Sequence, residues 1–455
     1  MIKASAHTVP ERGLEPGSAI PVSSVSETGD RPILDEPPVL LPMPAYHGTL
    51  AAVRCLGAAG ISVTVADGNP LVPANWSRFA ARRVRCPDPS NPSRFMSWLC
   101  EFGERYPGYV LYPTSDDLAW LYSRHRDELT KRFILRHPPV EVTYGLLNKI
   151  RLRTAAEAVG LSMPRTWVPA GEADLEGISA AAHFPVVIKP QTQILFHPHA
   201  KGVPVWQPRD LQRAYAQFIS ATKYDSSVIA YDPSVCRVTV QEYFPSQAER
   251  IYGITGFIGP RAELFATRAS HKILQQPKQL GVGLCFEEAE ARPELISKIA
   301  SLCTSVGYEG IFEAEFVEHG GSLLLIDFNP RFYGQMAFDI ARGLPLPLLA
   351  YDAALGRWDR LSRRIALASN CSVQRGLIYC RSLELKLQLV TRQLCRRISR
   401  EESERWWGWL RTHRGSTVDA VADANDRMPE WLEAFHHFAR FARHPRSFVR
   451  QVVTD

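Results

Sequence analysis

Residues 310–331 carry the feature that most restricts what this chain can fold into. Gly310-Ile311-Phe312-Glu313-Ala314-Glu315-Phe316-Val317 reads as a strand, His319-Gly320-Gly321 as a turn, and Ser322 to Arg331 as a returning strand. On a strand, side chains two apart share a face. Glu313 therefore points with Glu315, and Asp327 points with Asn329 and Arg331. The tight turn sets the strands side by side and lets Glu315 face Asp327 across the ladder. Two carboxylates so placed repel each other. Ile326, Phe328 and the leucines at 323–325 make the strand well buried, where an unpaired Asp or Arg is costly. A hard divalent cation removes the conflict, because Mg²⁺ takes a few carboxylate or amide oxygens together with phosphates. The pattern points to a divalent cation between Glu315 and Asp327, with Asn329 on the face of Asp327 and the planar fork of Arg331 beside it for a phosphate or carboxylate. Glu318 and Glu313 also fit a solvated hairpin face.

The segments upstream supply an α/β half and then an α+β half. Val39-Leu40-Leu41-Pro42-Met43 is an apolar run, followed by Leu50, Val53, Leu56 and Ala59 at helical spacing, Gly60 as terminator, and a second strand at 61–65. Strand, helix, strand in so short a span predicts a parallel, Rossmann-like sheet with a right-handed crossover. A further strand at 109–113 leads into Thr114-Ser115-Asp116-Asp117, good N-cap residues for the next helix. The first turn, Pro42-Met43-Pro44-Ala45-Tyr46-His47-Gly48, lacks the glycines of a dinucleotide fingerprint, so Asp67 at the end of the second strand is read as structural. After Asn148-Lys149 the pattern gives a helix at 150–159. An apolar strand at 184–188 ends in Lys189-Pro190, a strand at 236–241 runs into Glu242-Tyr243-Phe244-Pro245, and an antiparallel pair turns about Gly259-Pro260. Boundaries follow: a flexible tail at 1–37, an N-terminal α/β domain at 38–148, a two-lobed α+β domain at 149–355, and a C-terminal helical extension at 356–455.

Charge and cysteine use narrow the class. The net charge is +6, but residues 357–455 hold 19 Lys/Arg against 11 Asp/Glu, so the main body has no basic field for nucleic acid. Nine cysteines are scattered without a C-x-x-C pair, which suits a reducing cytoplasm. No apolar run is long enough for a membrane span, and the Ser-, Pro- and Gly-rich N-terminus lacks the apolar core of a signal peptide.

Taken together, the motifs resemble the ATP-grasp superfamily across most of 38–355. Glu315, Asp327 and Asn329 look like its metal-binding Glu…Glu-x-Asn signature, with Asp327 in place of the commoner second Glu. The twelve positions from Glu315 to Asp327 match the separation in biotin carboxylases. The resemblance implies ATP and Mg²⁺ (or Mn²⁺) as cofactors. It implies Lys149 and Lys189 as holders of the nucleotide phosphates, and Gln241, Glu242, Tyr243 and Phe244 as the adenine hinge. It offers Glu249 or Glu242 as a ribose acceptor. Arg331 and Lys272 fall where the family steadies the transferred phosphoryl group, and Arg268 is offered as a helper beside Lys272. In detail the chain is similar to carboxylate–amine ligases related to D-aspartate ligase, on Tyr112-Pro113-Thr114-Ser115-Asp116-Asp117, Met163-Pro164-Arg165-Thr166 and Asp327-Phe328-Asn329-Pro330-Arg331. The expected substrates are thus a small carboxylate and an amine, and a homodimer is compatible with this reading. The loop at 191–205 departs from the family's glycine-rich flap, holding one glycine, Gly202, beside Lys201, with His197 and His199 read as surface residues. Bicarbonate activation and a non-catalytic ATP sensor are the alternatives.

The last hundred residues carry Leu383, Leu387, Val390 and Leu394 at helical spacing, with arginines and the aromatics Trp406, Trp407, Trp409, Phe435, Phe438 and Phe441. Two readings compete. A basic aromatic helix touches anionic lipid, or an added helical domain packs its apolar stripe on the enzyme; the second is the ordinary outcome and is the expectation here.

Overall fold

The structure is a computed structural model, and it describes residues 36–198, 201–245, 251–260, 263–370, 376–447 and 449. Its first sheet is parallel throughout, with β1 (Val39–Pro42), β2 (Val63–Ala66), β3 (Ala80–Val84) and β4 (Val110–Leu111) in the order β3-β2-β1-β4. The helix His47–Ala58 makes the β1–β2 crossover, as the spacing predicts, and β3 is an added edge strand. At the C-terminal end of β4, Ser115 accepts a hydrogen bond from the Leu118 backbone N–H (3.2 Å) and starts the helix Asp116–Arg124. That cap aims two carboxylates, Asp116 and Asp117, from the mouth of the parallel sheet.

A second sheet is small and antiparallel. It comprises β5 (Thr166–Trp167), β6 (Val186–Lys189), β8 (Val203–Val205) and β10 (Thr239–Glu242), in the order β5-β10-β6-β8, beside a two-stranded pair of β7 (Phe196–His197) and β9 (Lys223–Tyr224). The helix Lys149–Ala158 enters it through Asn148, whose side-chain oxygen accepts from the backbone N–H groups of Ile150 (3.0 Å) and Arg151 (3.2 Å). This cap fixes Lys149 at the first helical position.

The third sheet holds seven strands: β11 (Ile251–Ile258), β12 (Phe265–Gln276), β13 (Val282–Glu288), β14 (Gly310–His319), β15 (Ser322–Asn329), β16 (Ile378–Cys380) and β17 (Thr417–Asp419), in the order β15-β14-β11-β12-β13-β16-β17. At the β14–β15 turn Gly320 and Gly321 have φ of 58° and 77°. Hairpin turns that match strand twist need such positive φ, which glycine adopts freely. The helix Pro293–Val306 covers one face through Ile299, Leu302 and Cys303 against Phe312 and Phe316. The helices Met336–Ala341 and Leu346–Ala354 pack the other face onto the parallel sheet, in a core joining Val39 and Leu50 to Met336, Tyr351 and Tyr379.

The C-terminal region differs from the expected helical extension. Its helices Trp358–Asn370, Ser382–Leu394, Arg400–Thr412 and Met428–Arg443 are present, but β16 and β17 lengthen the seven-stranded sheet. In the helix Ser382–Leu394 the inward residues are Leu385, Gln388, Leu389 and Arg392, whereas Val390 and Leu394 are exposed. Leu385 and Leu389 pack against Leu284, Ile378 and Trp406, and Arg392 on the same side reaches the side chain of Gln276 (3.0 Å), so the buried face is not the stripe the leucine spacing suggested. Buried Asp426 then ties this region to the N-terminal sheet, accepting from Arg54 Nε (2.9 Å), Ser77 Oγ (2.7 Å) and the Arg78 backbone N–H (2.9 Å). Among the described residues no helix is long and apolar enough to cross a membrane.

One ion pair locks the helical layer to the sheet. Asp339 accepts from Thr255 Oγ1 (2.8 Å), from the Tyr333 hydroxyl and from Arg342, whose Nη1 also donates to Ala269 O (2.7 Å). Both charged side chains are about fully buried, at 1% exposure each. Removing one partner strands the other charge. Asp339→Leu is expected to lower unfolding free energy by about 3–5 kcal/mol in urea titration, and a loss under ~1 kcal/mol would show the pair to be dispensable.

Candidate active site

The register of the hairpin is set by a defect. The turn pairs His319 with Ser322 and Phe316 with Leu325, and regular continuation would bring Ile326 opposite Glu315. A bulge after Glu315 instead makes Ile326 the extra residue, so Asp327 faces Glu315 and Asn329 faces Glu313. All four polar side chains thereby line one cleft, with Ile326 and Val317 beside them. The cleft lies between the small sheet, the seven-stranded sheet and the mouth of the parallel sheet, with a cavity volume of about 310 Å³.

Each carboxylate of the facing pair has its own lysine. Lys149 Nζ donates to Asp327 Oδ1 (2.9 Å), and Lys272 Nζ lies 2.5 Å from Glu315 Oε1. Gly253 stands opposite Glu315 on β11 and Ser270 opposite Gly253 on β12, and Lys272 lies two residues beyond Ser270 on the same face. Asp327 keeps 40% of its side chain in contact with solvent. Burial acts against its charge, yet Lys149, Lys189 and Lys201 outweigh it and hold the carboxyl down at about 2. Glu313 is more deeply placed. Burial and then the neighbouring Glu315 push its carboxyl up to about 7, while it accepts hydrogen bonds from Gln335 Nε2 (2.5 Å) and Asn329 Nδ2 (2.9 Å).

The opposite wall comes from the small sheet. Lys189 ends β6 and donates to Gln241 Oε1 (3.1 Å), whose amide in turn donates to Thr166 Oγ1 (3.0 Å). Burial, and then the charge of Lys149, depress the Lys189 ammonium to about 7. Lys201 donates to Gly281 O (3.0 Å), and burial followed by Lys272 lowers its pKa. Beyond the lysines the wall turns apolar: Tyr243, Phe244, Leu280 and Ile251 line it with Val317 and Ile326. Phe244 stacks on His319 at 4.1 Å between ring centroids. Glu242 faces the cleft and contacts His183 Nδ1 (3.2 Å).

Arg331 closes the row. Its Nε donates to Asp116 Oδ1 (2.5 Å), and its Nη groups donate to Phe332 O (2.8 Å) and Asn329 Oδ1 (3.2 Å). Burial opposes its charge, but Asp116 raises its pKa further. Asp117 accepts from the Leu195 backbone N–H (2.7 Å), and burial pushes its carboxyl up to about 6.

The cleft thus brings together Lys149, Lys189, Gln241, Glu242, Tyr243, Phe244, Lys272, Glu315, Asp327, Asn329 and Arg331. Arg268 is not among its lining. Its guanidinium donates to Arg342 O (3.0 Å) and Ala368 O (2.8 Å), because the helical layer after Met336 covers that end of the sheet. Glu249 and His199 lie outside the described residues. Lys201, Asp116, Asp117, Gln335 and Arg381 join the lining, and sequence reading gave none of them a definite role in the site. Arg381 directly follows the apolar run of β16, the one local signal it carries. Among the described residues no group of three or more His, Cys, Asp or Glu side chains forms a ready-made metal cage. Two carboxylates and one amide are nonetheless the hard-oxygen set a phosphate-bound Mg²⁺ uses, since that ion keeps most of its shell as water and phosphate.

No family model matches the sequence, and no curated protein is matched by it. Solved structures do resemble it. The biotin carboxylase domain dimer of Hydrogenobacter thermophilus 2-oxoglutarate carboxylase, in complex with MgADP, ADP and bicarbonate, is 13% identical with a TM-score of 0.55, covering 70% of this chain and 69% of that one. Biotin carboxylase from Campylobacter jejuni is 15% identical with a TM-score of 0.54, covering 70% and 71%. An L-amino acid ligase from Bacillus licheniformis is 14% identical with a TM-score of 0.50, covering 70% and 73%. At these identities the likeness is one of architecture: the chain has the fold of ATP-grasp enzymes.

Proposed function

We propose that this chain is an ATP- and Mg²⁺-dependent ligase that activates a carboxylate as an acyl phosphate for attack by an amine. The observation that carries the reading is the Glu315–Asp327 pair, facing across the ladder, each held by a lysine, with Arg331 two residues beyond Asn329. A pair of like charges placed so close stabilises nothing by itself. It becomes useful when the lysines exchange carboxylate for phosphate and the carboxylates exchange lysine for a cation.

Glu315, Asp327 and Asn329 would hold Mg²⁺, which when bound spreads charge over the nucleotide's phosphate oxygens. Lys149, Lys189 and Lys201 bind and orient the triphosphate as point charges. The apolar slot of Tyr243, Phe244, Leu280 and Ile326 takes the adenine, with backbone at 241–244 in reach of its edge and Glu242 as ribose acceptor. A substrate carboxylate oxygen attacks the γ-phosphorus, the bond to ADP breaks, and an acyl phosphate forms. The amine nitrogen then attacks the acyl carbon and phosphate leaves, with the amine's proton passing to solvent. Arg331, held in line by Asp116, and Lys272 steady the transferred oxygens through both steps. Kinship with carboxylate–amine ligases related to D-aspartate ligase remains part of this proposal, supported by the likeness to the L-amino acid ligase. Bicarbonate as the activated acid is the second reading, favoured by the likeness to two biotin carboxylases.

A phosphate-release screen pairing amino acids with small carboxylates, and each with bicarbonate, separates these readings. Turnover that requires both acid and amine supports ligation, and ATP binding without turnover points to a sensor. Asp327→Ala is expected to lower Mg²⁺-dependent ADP release on the order of a hundredfold or more, with Asp327→Glu retaining more of it. Full activity in Asp327→Ala would remove the metal assignment.

The depressed Lys189 gives a second prediction. Its ordinary value is 10.5 and its folded value about 7, so the unfolded chain holds this proton more tightly. The group opposes folding most at and below pH 7, and that opposition fades as pH rises towards 10.5. Lys189→Met should therefore stabilise the ligand-free protein near pH 7, by a margin that shrinks at higher pH, while weakening ATP binding by about tenfold or more. Chemical denaturation across this pH window and nucleotide titration check the two halves. A margin independent of pH would show that Lys189 titrates normally.

A further inference from the structure

The helix Met428–Arg443 is turned the wrong way for a water-facing surface. Met428, Trp431, Phe435 and Phe438 fall within about 80° of arc on the helical wheel, and they are 52%, 69%, 56% and 68% exposed. Its polar Glu433 points inward instead and meets His47 Nε2 at 3.4 Å. An ordinary surface helix buries its apolar stripe and exposes its charges. A continuous aromatic ridge left outside marks an interaction surface.

The surroundings of the ridge identify the occupant. Exposed Arg78 and Arg427 lie at the helix's N-terminal end, the former donating to Asn425 O (3.3 Å), and exposed Arg443 and Arg446 lie at the other. Of the two acidic residues in 427–447, only Glu430 is exposed. Both ends are therefore positive. Two copies packed ridge to ridge, parallel or antiparallel, would set arginines against arginines. An anionic bilayer meets both needs, taking the aromatics at its headgroup boundary and the arginines on its phosphates.

We propose that the helix Met428–Arg443 docks this protein on an anionic lipid surface, lying in the interface plane without crossing it. The test uses the full chain and co-sedimentation with vesicles of phosphatidylcholine alone, or with roughly one third phosphatidylserine. Binding is expected only to the anionic vesicles and to weaken with salt. A Phe435→Ser/Phe438→Ser variant should lose at least about tenfold in partition. Arg443→Ala and Arg446→Ala should each lose about fivefold and flatten the salt dependence. These positions are exposed, so unchanged thermal melts and unchanged ADP release are expected alongside. No partition of the unaltered protein, or equal partition to both vesicles, overturns the proposal. So does a dimer seen by light scattering that the Phe435/Phe438 variant splits while vesicle binding is absent, since the ridge would then be an interface between copies.

Discussion

The Glu315–Asp327 opposition is the constraint around which the cleft is organised. Carboxylates across a ladder repel, and these are tolerated because Lys272 and Lys149 neutralise them from two other directions. Those lysines come from different places: Lys272 from β12, beyond the intervening β11, and Lys149 from the first position of a helix capped by Asn148. The electrostatic need of two side chains thus fixes how one helix and three strands meet. The bulge serves the same end, since without the extra Ile326 the strand would present an isoleucine to Glu315. The fold tolerates an irregular ladder to keep the acids together.

Arg331 extends this dependence to the N-terminal sheet. Its ion pair with Asp116 joins the end of the β14–β15 hairpin to the first turn of the helix after β4. Burying a guanidinium costs several kcal/mol unless it is paired and hydrogen-bonded, and here each of its polar edges has an acceptor. Asp426 does comparable work on the far side, fastening the C-terminal region to Arg54, Ser77 and Arg78. The C-terminal strands then place Arg381 at the cleft, so all three parts of the chain contribute side chains to one site.

How much of this could be read from sequence follows from how local each determinant is. The hairpin was legible because glycine turns and two-residue periodicity are local, and Glu315 does oppose Asp327. The bulge that makes it so was not, because an extra residue leaves no mark in the alternation. Lys149 and Lys189 were picked out by the family resemblance, because a lysine ending an apolar strand reads by itself as a solvated end. The length of β12 and the whole of β13 were not, since Arg268 to Gln276 reads as polar and its burial comes from neighbouring strands. Arg268 was placed beside Lys272 by the family resemblance, and the two share strand parity on β12. They part company because helices cover one end of that face and leave the other open. In the C-terminal region the leucine stripe misled, because the partners that select the face of Leu385 and Leu389, Leu284, Ile378 and Trp406, come from other elements and leave no mark in the local spacing.

The pKa directions say something further about the ligand-free cleft. Lys189 is depressed mainly by burial, Glu313 is raised by burial and Glu315, and Asp327 is held low by lysines. Charges are therefore balanced in pairs, with the deeper members near neutrality. On the proposed function, a triphosphate arriving with a cation adds both signs at once, so each lysine can exchange carboxylate for phosphate while the carboxylates exchange lysine for the cation. A phosphate arriving alone would compete for Lys149 and strand Asp327 opposite Glu315. On the proposed function, the same pairing would make nucleotide and metal bind better together than apart. That is a coupling of the reciprocal kind in which each ligand raises the affinity of the other.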